Sequence, residues 1–347
     1  MMAPAARRTF RLASVVALSV ALAYGLAMPL PFMAPLFAVL LTATPAPPPG
    51  PKGLLTLLVL VSVTLGIGLM LNPLLRNYPV SAVMMIAAGL YVSTYLSVGK
   101  GKGLVGTLLA VGLTMIPAAG LMDYALASAV VNSLLVGIAV AVGCQWLVQP
   151  LFPEPPPAAA AAKPPPADAG RANWLALRTV LIVLPPVMLA FTNPGMYMPT
   201  IMKSVMLAQQ GSTVSARAAG RELIGSTFLA GAYALAFWFA LKLLPNLWMF
   251  TLWMLLFGIH IASRLYGVVA NRHPPSFWVN VFVTMLILVG PAVQDSTGDD
   301  VYGEFVARFT LFVLVTLYAW GAIVALDRLR ENRAGGRPAV PATTPPG

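Results

Sequence analysis

The sequence predicts an all-α, polytopic transmembrane bundle of about twelve spans, built as two parallel six-helix repeats. Three observations predict it. Of 347 residues, 59% are hydrophobic and only 9% charged. An average soluble domain carries roughly 25% charged residues, so most of this surface must face lipid rather than water. Charge-free runs recur along the chain, many as long as the roughly 20 residues a helix needs to cross a bilayer. The same order of runs appears twice, before and after a Pro/Ala-rich stretch running from Gln149 to Arg171.

Residues 12–51 carry no charge, and Pro29 and Pro31 interrupt them near the middle, which reads as a tight helical hairpin with helices over about 12–28 and 32–45. Further spans follow at Gly53 to Leu75, Asn77 to Gly99, Gly103 to Met122 and Tyr124 to Pro153. After the stretch at 149–172 a second hairpin covers 173–210 and turns at Asn193-Pro194-Gly195. Spans then follow at Leu223 to Leu241, Asn246 to Ser263, Pro274 to Gln294 and about 303–327. Residues in register tie the halves together: Met33 with Met198, Lys52 with Arg217, Asn77 with Asn246, Gly89 with Gly258, and Pro117-Ala118 with Pro291-Ala292. An even number of spans per half makes the repeats parallel, related by an axis along the membrane normal.

The domain plan is therefore a first repeat over 1–148, a cytoplasmic linker over 149–172, a second repeat over 173–330 and a disordered tail over 331–347. Prolines block helix and ladder bonding in the linker, and its alanine run is too short to fold alone, so it is expected to be an extended tether. On this reading the halves fold as separate bundles, held together mainly by membrane contacts.

Several function classes drop out. The formal charge of +11 sits in short loops between apolar runs, without a basic stripe interleaved with exposed aromatics, so nucleic acid is not an expected partner. Cys144 is the single cysteine and reads as a small buried hydrophobe, so neither a disulfide framework nor a cysteine metal site is expected. No His, Asp or Glu cluster has metal spacing, and no acid-base carboxylate pair falls inside a predicted span. Gly99-Lys-Gly-Lys-Gly103 lacks the spacing of a phosphate-binding loop. No catalytic residue, metal or cofactor is expected, and the chain does not read as an enzyme. Arg7-Arg8-Thr9-Phe10-Arg11 before an apolar run looks like a secretory signal, but Leu177-Arg178 opens a matching run in the second half, so the segment reads as a repeat's first helix.

Orientation follows from the basic residues. With the N-terminus in the cytoplasm, all but four of the 21 Lys and Arg fall on the inner side or at inner helix ends. Arg76 and Lys242 are outside, and Lys203 and Arg308 lie within helices. Both termini are then cytoplasmic, in the inner (plasma) membrane.

Ionisable residues inside a bilayer cost a few kcal/mol and are candidates for function. Lys203 lies in mid-hairpin, where snorkelling reach is smallest, and its register partner is Ala38. His260 and Arg264 stand one helical turn apart, and their counterparts Tyr91 and Tyr95 share that spacing. Together the four suggest one substrate site, with aromatic walls on one side and a charged clamp on the other. Arg308 lies about a turn inside the last helix. Blander readings stand beside these: Arg264 snorkelling to headgroups, Arg308 pairing with Glu304, His260 as a hydrogen-bonded packing residue, and all buried charges as locks between helices of a non-transporting scaffold.

Helix 9 opens with Arg221-Glu-Leu-Ile-Gly225-Ser-Thr-Phe-Leu-Ala-Gly231 and helix 3 with Lys52-Gly-Leu-Leu-Thr56. A basic loop after a short hairpin, then a Gly/Ser/Thr-bearing helix start, in two halves of six spans, resembles the fusaric acid resistance-like superfamily, which includes aromatic carboxylic acid exporters. The resemblance covers about residues 7–330, and the chain looks like a short form without the large soluble domain of better-known members. It implies export of small organic, aromatic acid anions from the cytoplasm, with a periplasmic membrane-fusion adaptor and an outer-membrane channel as partners. Homo-oligomer formation is left open. A major-facilitator transporter shares the six-plus-six count, but the loop from Ala43 to Lys52 lacks the acidic-basic signature such proteins place there. An integral-membrane transferase is disfavoured because no acid-base pair is present.

The orientation is tested by reporter fusions. Fusions at Gly50, Lys102, Ala160 and Gly336 are expected to report cytoplasm, and those at Asn193 and Ser296 periplasm. A periplasmic signal at Ala160 would overturn the six-plus-six plan.

Overall fold

Proline sets the start of five helices. Pro4, Pro51, Pro79, Pro194 and Pro275 each open a helix, where a missing N–H is harmless because the first amides have no intrahelical acceptor. The structure is a computed structural model describing residues 3–154, 168–210, 216–294 and 301–335. It holds twelve helices: α1 (Pro4–Gly25), α2 (Met33–Thr42), α3 (Pro51–Asn77), α4 (Pro79–Gly99), α5 (Gly103–Met122), α6 (Tyr124–Val148), α7 (Ala169–Thr192), α8 (Pro194–Gln210), α9 (Ala216–Leu243), α10 (Leu247–Leu265), α11 (Pro275–Gln294) and α12 (Val301–Gly335). No strand occurs among the described residues. Nine of the described helices, α3 to α7 and α9 to α12, are long and apolar enough to cross a bilayer. The chain is an all-α, multi-pass membrane bundle.

The twelve spans expected from the sequence are thus nine by length and composition among the described residues; α1, α2 and α8 fall outside them, and α2, with ten residues, falls furthest short. It rises about 15 Å, half the thickness of a hydrocarbon core. The irregular turn at residues 26–32 supplies the rest of the reach. At its far end, Gln294 donates to the Pro29 carbonyl (3.2 Å) and Tyr24 to that of Gly290 (3.1 Å), beside Phe32. At its near end, on the side of the chain start, Gln145 donates to Thr42 Oγ1 (2.9 Å) and Tyr266 Oη reaches the Ala43 carbonyl (3.0 Å). Protein covers the short helix itself, eight of whose ten residues are buried, whereas Leu26, Ala27 and Pro29 of the turn are exposed.

The pairings of the first six helices recur in the second six. α3 packs on α5 as α9 does on α11, and α2 on α6 as α8 does on α12. Between halves, α1 lies along α10 as α7 lies along α4, while α2 meets α11 as α5 meets α8. This corrects the expectation of separate bundles: each half's first hairpin packs into the other half. The α1/α10 approach needs a small residue, since a Cβ on Gly258 would sit 3.3 Å from the Cα of Ala13.

Boundaries also move. α1 begins at Pro4, so Arg7, Arg8 and Arg11 lie on the helix, and α7 begins at Ala169 rather than 173. α12 runs to Gly335, so the first residues of the expected disordered tail are helical; residues 336–347 lie outside the described residues. The expected tether is not extended throughout. Phe152 stacks on Phe10 with ring centroids 6.0 Å apart, and Arg7 donates to the Pro153 carbonyl at 3.3 Å. Residues 155–167 lie outside the described residues.

The tightest helix contact is between α3 and α5, where a Cβ on Gly68 would collide with the carbonyl of Gly112 and crowd Ile116, whereas Gly66 meets nothing within 4 Å. Gly68→Leu is therefore expected to cost about 1–3 kcal/mol by overpacking, seen as a lower melting temperature in detergent. Gly66→Leu should leave it within a degree or two; equal effects of the two substitutions would show that the contact is not tight.

Candidate functional site

Lys203 is fully enclosed. It sits on α8 with Thr200 and Ser204 and projects onto α11, where Asn280 and Thr284 stand one turn apart. Its Nζ donates to Thr284 Oγ1 (2.8 Å) and Asn280 Oδ1 (3.4 Å). Asn280 Nδ2 passes the chain to Ser226 Oγ on α9 (2.5 Å), which donates to the Leu223 carbonyl (3.1 Å). Thr227 and Thr316 bond to one another beside it (3.3 Å). Both acceptors of the ammonium are neutral, and no carboxylate pairs with it among the described residues. The first half has no such cluster. In the register set by Met33, Lys52 and Pro117, the counterparts of Lys203, Ser226, Asn280 and Thr284 are Ala38, Val61, Gly106 and Ala110, all buried.

The other expected site residues are not brought to Lys203. His260 lies on the exposed side of α10, its Nε2 2.9 Å from Tyr233 Oη. One turn on, the Arg264 guanidinium lies over Trp278, 5.2 Å from the ring centroid. Asn271 holds this corner, donating to the Arg264 carbonyl (2.6 Å) and accepting from Trp278 Nε1 (3.2 Å). Tyr91 Oη donates instead to Asn173 on α7 (3.0 Å), and Tyr95 is half-buried beside Gly99 on the same helix. α4 packs on α3, α5 and α7, and α10 on α1, α9 and α11. The single clamp expected from Tyr91, Tyr95, His260 and Arg264 is thus two separate places, because counterparts in a two-fold repeat lie on opposite flanks of its axis. Arg308 is half-buried on α12; the side chain of Glu304, its expected partner, lies outside the described residues.

A cleft of about 490 Å³ opens at the far ends of α1, α9, α10 and α11. Tyr24, Trp238, Phe250 and Val293 give it apolar walls, with Lys242 and Asn246 adding a cation and an amide. Sequence reading placed Lys242 in a loop and missed the cleft, whose walls come from helices far apart in the chain.

It also missed three ion pairs on two carboxylates at the near side. Arg11, nearly enclosed, pairs with Glu154 Oε2 at 3.0 Å, and Arg8 with Oε1 of the same carboxylate. Arg178, equally enclosed, pairs with Asp327 at 3.2 Å. Each ties the first helix of a half to the close of that half, Glu154 lying just beyond α6 and Asp327 on α12. A signal existed: an arginine inside each first helix and an acid at the end of each half. Asp327 lies near the end of the last span, where α12 continues beyond it. Among the described residues no group of His, Cys, Asp and Glu could hold a metal ion.

The fold and these sites define a polytopic helical membrane protein with an internal repeat. Residues 8–148 match the family described as "Protein of unknown function (DUF2955)", a match that ends on the last residue of α6. No curated protein and no solved structure matches the chain.

Removing one partner of an enclosed ion pair strands the other charge, at a cost of about 3–5 kcal/mol. Glu154→Gln is expected to shorten the half-life of the folded protein in detergent sharply. Asp327→Asn should do so less, because a quarter of the Asp327 side chain is exposed whereas Glu154 is 5% exposed. The reverse order would show that Glu154 is not what balances Arg11.

Proposed function

We propose that the protein is an inner-membrane exporter, or the membrane subunit of an export pump, for small organic anions, aromatic carboxylates above all. The far-side cleft carries this reading. Its volume is that of a small-molecule site, and its apolar rings with one cation and one amide suit a flat acid bearing one negative charge. The excess of Lys and Arg on the near side makes that side cytoplasmic, so the cleft opens to the periplasm. The resemblance to the fusaric acid resistance-like superfamily supports the same substrate class and adds a periplasmic adaptor and an outer-membrane channel as partners.

Lys203, when protonated, then serves as a positive charge near the middle of the membrane, lowering the cost of a carboxylate on its way. Expelling a monoanion from a cell negative inside is favourable by about 2.3 kcal/mol per 100 mV, so the potential alone can drive export. The second reading, a non-transporting scaffold, is favoured by the complete enclosure and hydrogen bonding of Lys203, which suit a lock between α8 and α11.

Proteoliposomes holding the purified protein separate the readings. With an imposed potential, labelled benzoate is expected to move in the wild type and in His260→Gln, where a glutamine can still bond Tyr233, and to stop in Lys203→Ala. Abolishing the potential at a constant pH gradient should also stop it. Should His260→Gln stop transport while flux follows the pH gradient, His260 carries a proton and the potential-driven scheme is wrong. No movement of any organic acid by the wild type leaves the scaffold reading.

A further inference from the structure

α9 and α10 meet through large rings, unlike α3 and α5, which meet through glycine. From the far-side cleft, Tyr24 packs edge-on against Phe250 (4.8 Å between centroids), and Phe250 against Phe237 (5.5 Å). Phe237 meets Phe257 (5.4 Å), Phe257 meets Tyr233 (6.1 Å), and Tyr233 meets His260 (5.7 Å). One turn beyond His260 is Arg264, stacked over Trp278. Edge-to-face contacts thus run from the cleft to His260 and stop one turn short of Arg264, a cation at the near side about 21 Å along α10 from Phe250.

On α10, Phe250, Trp253, Phe257 and Arg264 recur at the spacing of one helix face, and the exposed His260 lies at its rim beside Tyr233. Two buried donors on that face, Trp253 Nε1 and Arg264 Nε, have no hydrogen-bond partner among the described residues. A buried donor without an acceptor costs about 1–3 kcal/mol, and a carboxylate is an acceptor for both. The corresponding positions of the first half carry no ladder: in register with Phe250, Trp253, Phe257, His260 and Arg264 stand Ser81, Met84, Ala88, Tyr91 and Tyr95, and the two tyrosines there replace a histidine and an arginine rather than the phenylalanines. The rings are therefore not a requirement of the repeat's packing.

We propose that this face between α9 and α10 is the route of the exported acid, a reading that rests on the export function above. A planar aromatic carboxylate is taken at Arg264, passes ring to ring with its charge offered to the Trp253 N–H, and leaves through the cleft beside Lys242. Flat rings slip between edge-to-face neighbours, whereas a puckered ring of the same size and charge does not. The route selects planarity.

The test uses the full-length protein with 2-naphthoate and cyclohexanecarboxylate as probes, binding read by calorimetry in detergent and transport in proteoliposomes. Aromatic pairs contribute about 0.5–1.5 kcal/mol each, so Phe257→Leu is expected to weaken 2-naphthoate about three- to tenfold and slow its transport to match. Cyclohexanecarboxylate should stay within about twofold of the wild type, and Phe257→Tyr, which keeps the ring, should behave as wild type toward both acids. Equal losses for the two acids, or no change for 2-naphthoate in Phe257→Leu while the wild type transports it, overturns the route and leaves export standing. Binding of 2-naphthoate without movement of either acid by the wild type overturns export and the route with it.

Discussion

The structure depends on covering short helices with protein. α2 is too short to cross alone, and the irregular turn before it leaves backbone groups outside any helical ladder, which lipid could not satisfy. Contact with the other half meets that need. α1 lies along α10 and α2 against α11, so the uncovered turn finds Gln294 and its near end finds Tyr266, both from the second half. The second hairpin returns the contact on α4 and α5. Reciprocal exchange of hairpins makes one bundle of two repeats, and it explains why α11 is the most enclosed of the candidate spans, with 78% of its window buried.

A repeat that exchanged everything symmetrically would have two equivalent interiors, and this one does not. The cluster around Lys203 occupies α8, α9 and α11, while the matching positions of the first half are alanine, valine and glycine. The aromatic face of α10 has no counterpart on α4 either. Polar and aromatic specialisation falls on the second half, and the first half supplies the tight glycine contacts at Gly68 and Gly112 that hold the frame. Duplication fixes a backbone; the two copies of each position are then free to diverge.

Much of this architecture is legible in the sequence, for reasons that are local. Prolines mark helix starts, charge-free runs mark spans, and Pro117 and Pro291 register the halves. The hairpin exchange is not legible, because partners such as Thr9 and Ala262 or Tyr24 and Gly290 are hundreds of residues apart, and apolar helices give no hint of which apolar neighbour they choose. The length of α2 was misjudged for a related reason: a charge-free run shows what lipid or a core will accept, not where helical bonding stops. Lys203, His260 and Arg264 stand out as ionisable residues in apolar runs, yet grouping Tyr91 and Tyr95 with His260 and Arg264 mistook equivalence under the two-fold for proximity. The Asn280 and Thr284 acceptors are invisible without the fold, since a neutral polar residue in a span is common and only its neighbour gives it meaning.

Comparing the buried cations separates those that hold the bundle from the one that does not balance. Arg11 and Arg178 are as enclosed as a core residue, but each faces a carboxylate at the near-side rim, so their charge is compensated and their desolvation offset. Their placement at equivalent joints, first helix to the close of the half, marks them as structural. Lys203 has neutral acceptors only. Its hydrogen bonds to Thr284 and Asn280 satisfy its geometry but leave its charge without a counter-ion, and an ion in a low-dielectric interior is expensive without one. A lock between helices needs only the hydrogen bonds, which a glutamine at 203 would supply at lower cost. Retaining a cation in their place makes sense where the charge itself acts at a distance, on a negative group that reaches the membrane interior only in passing.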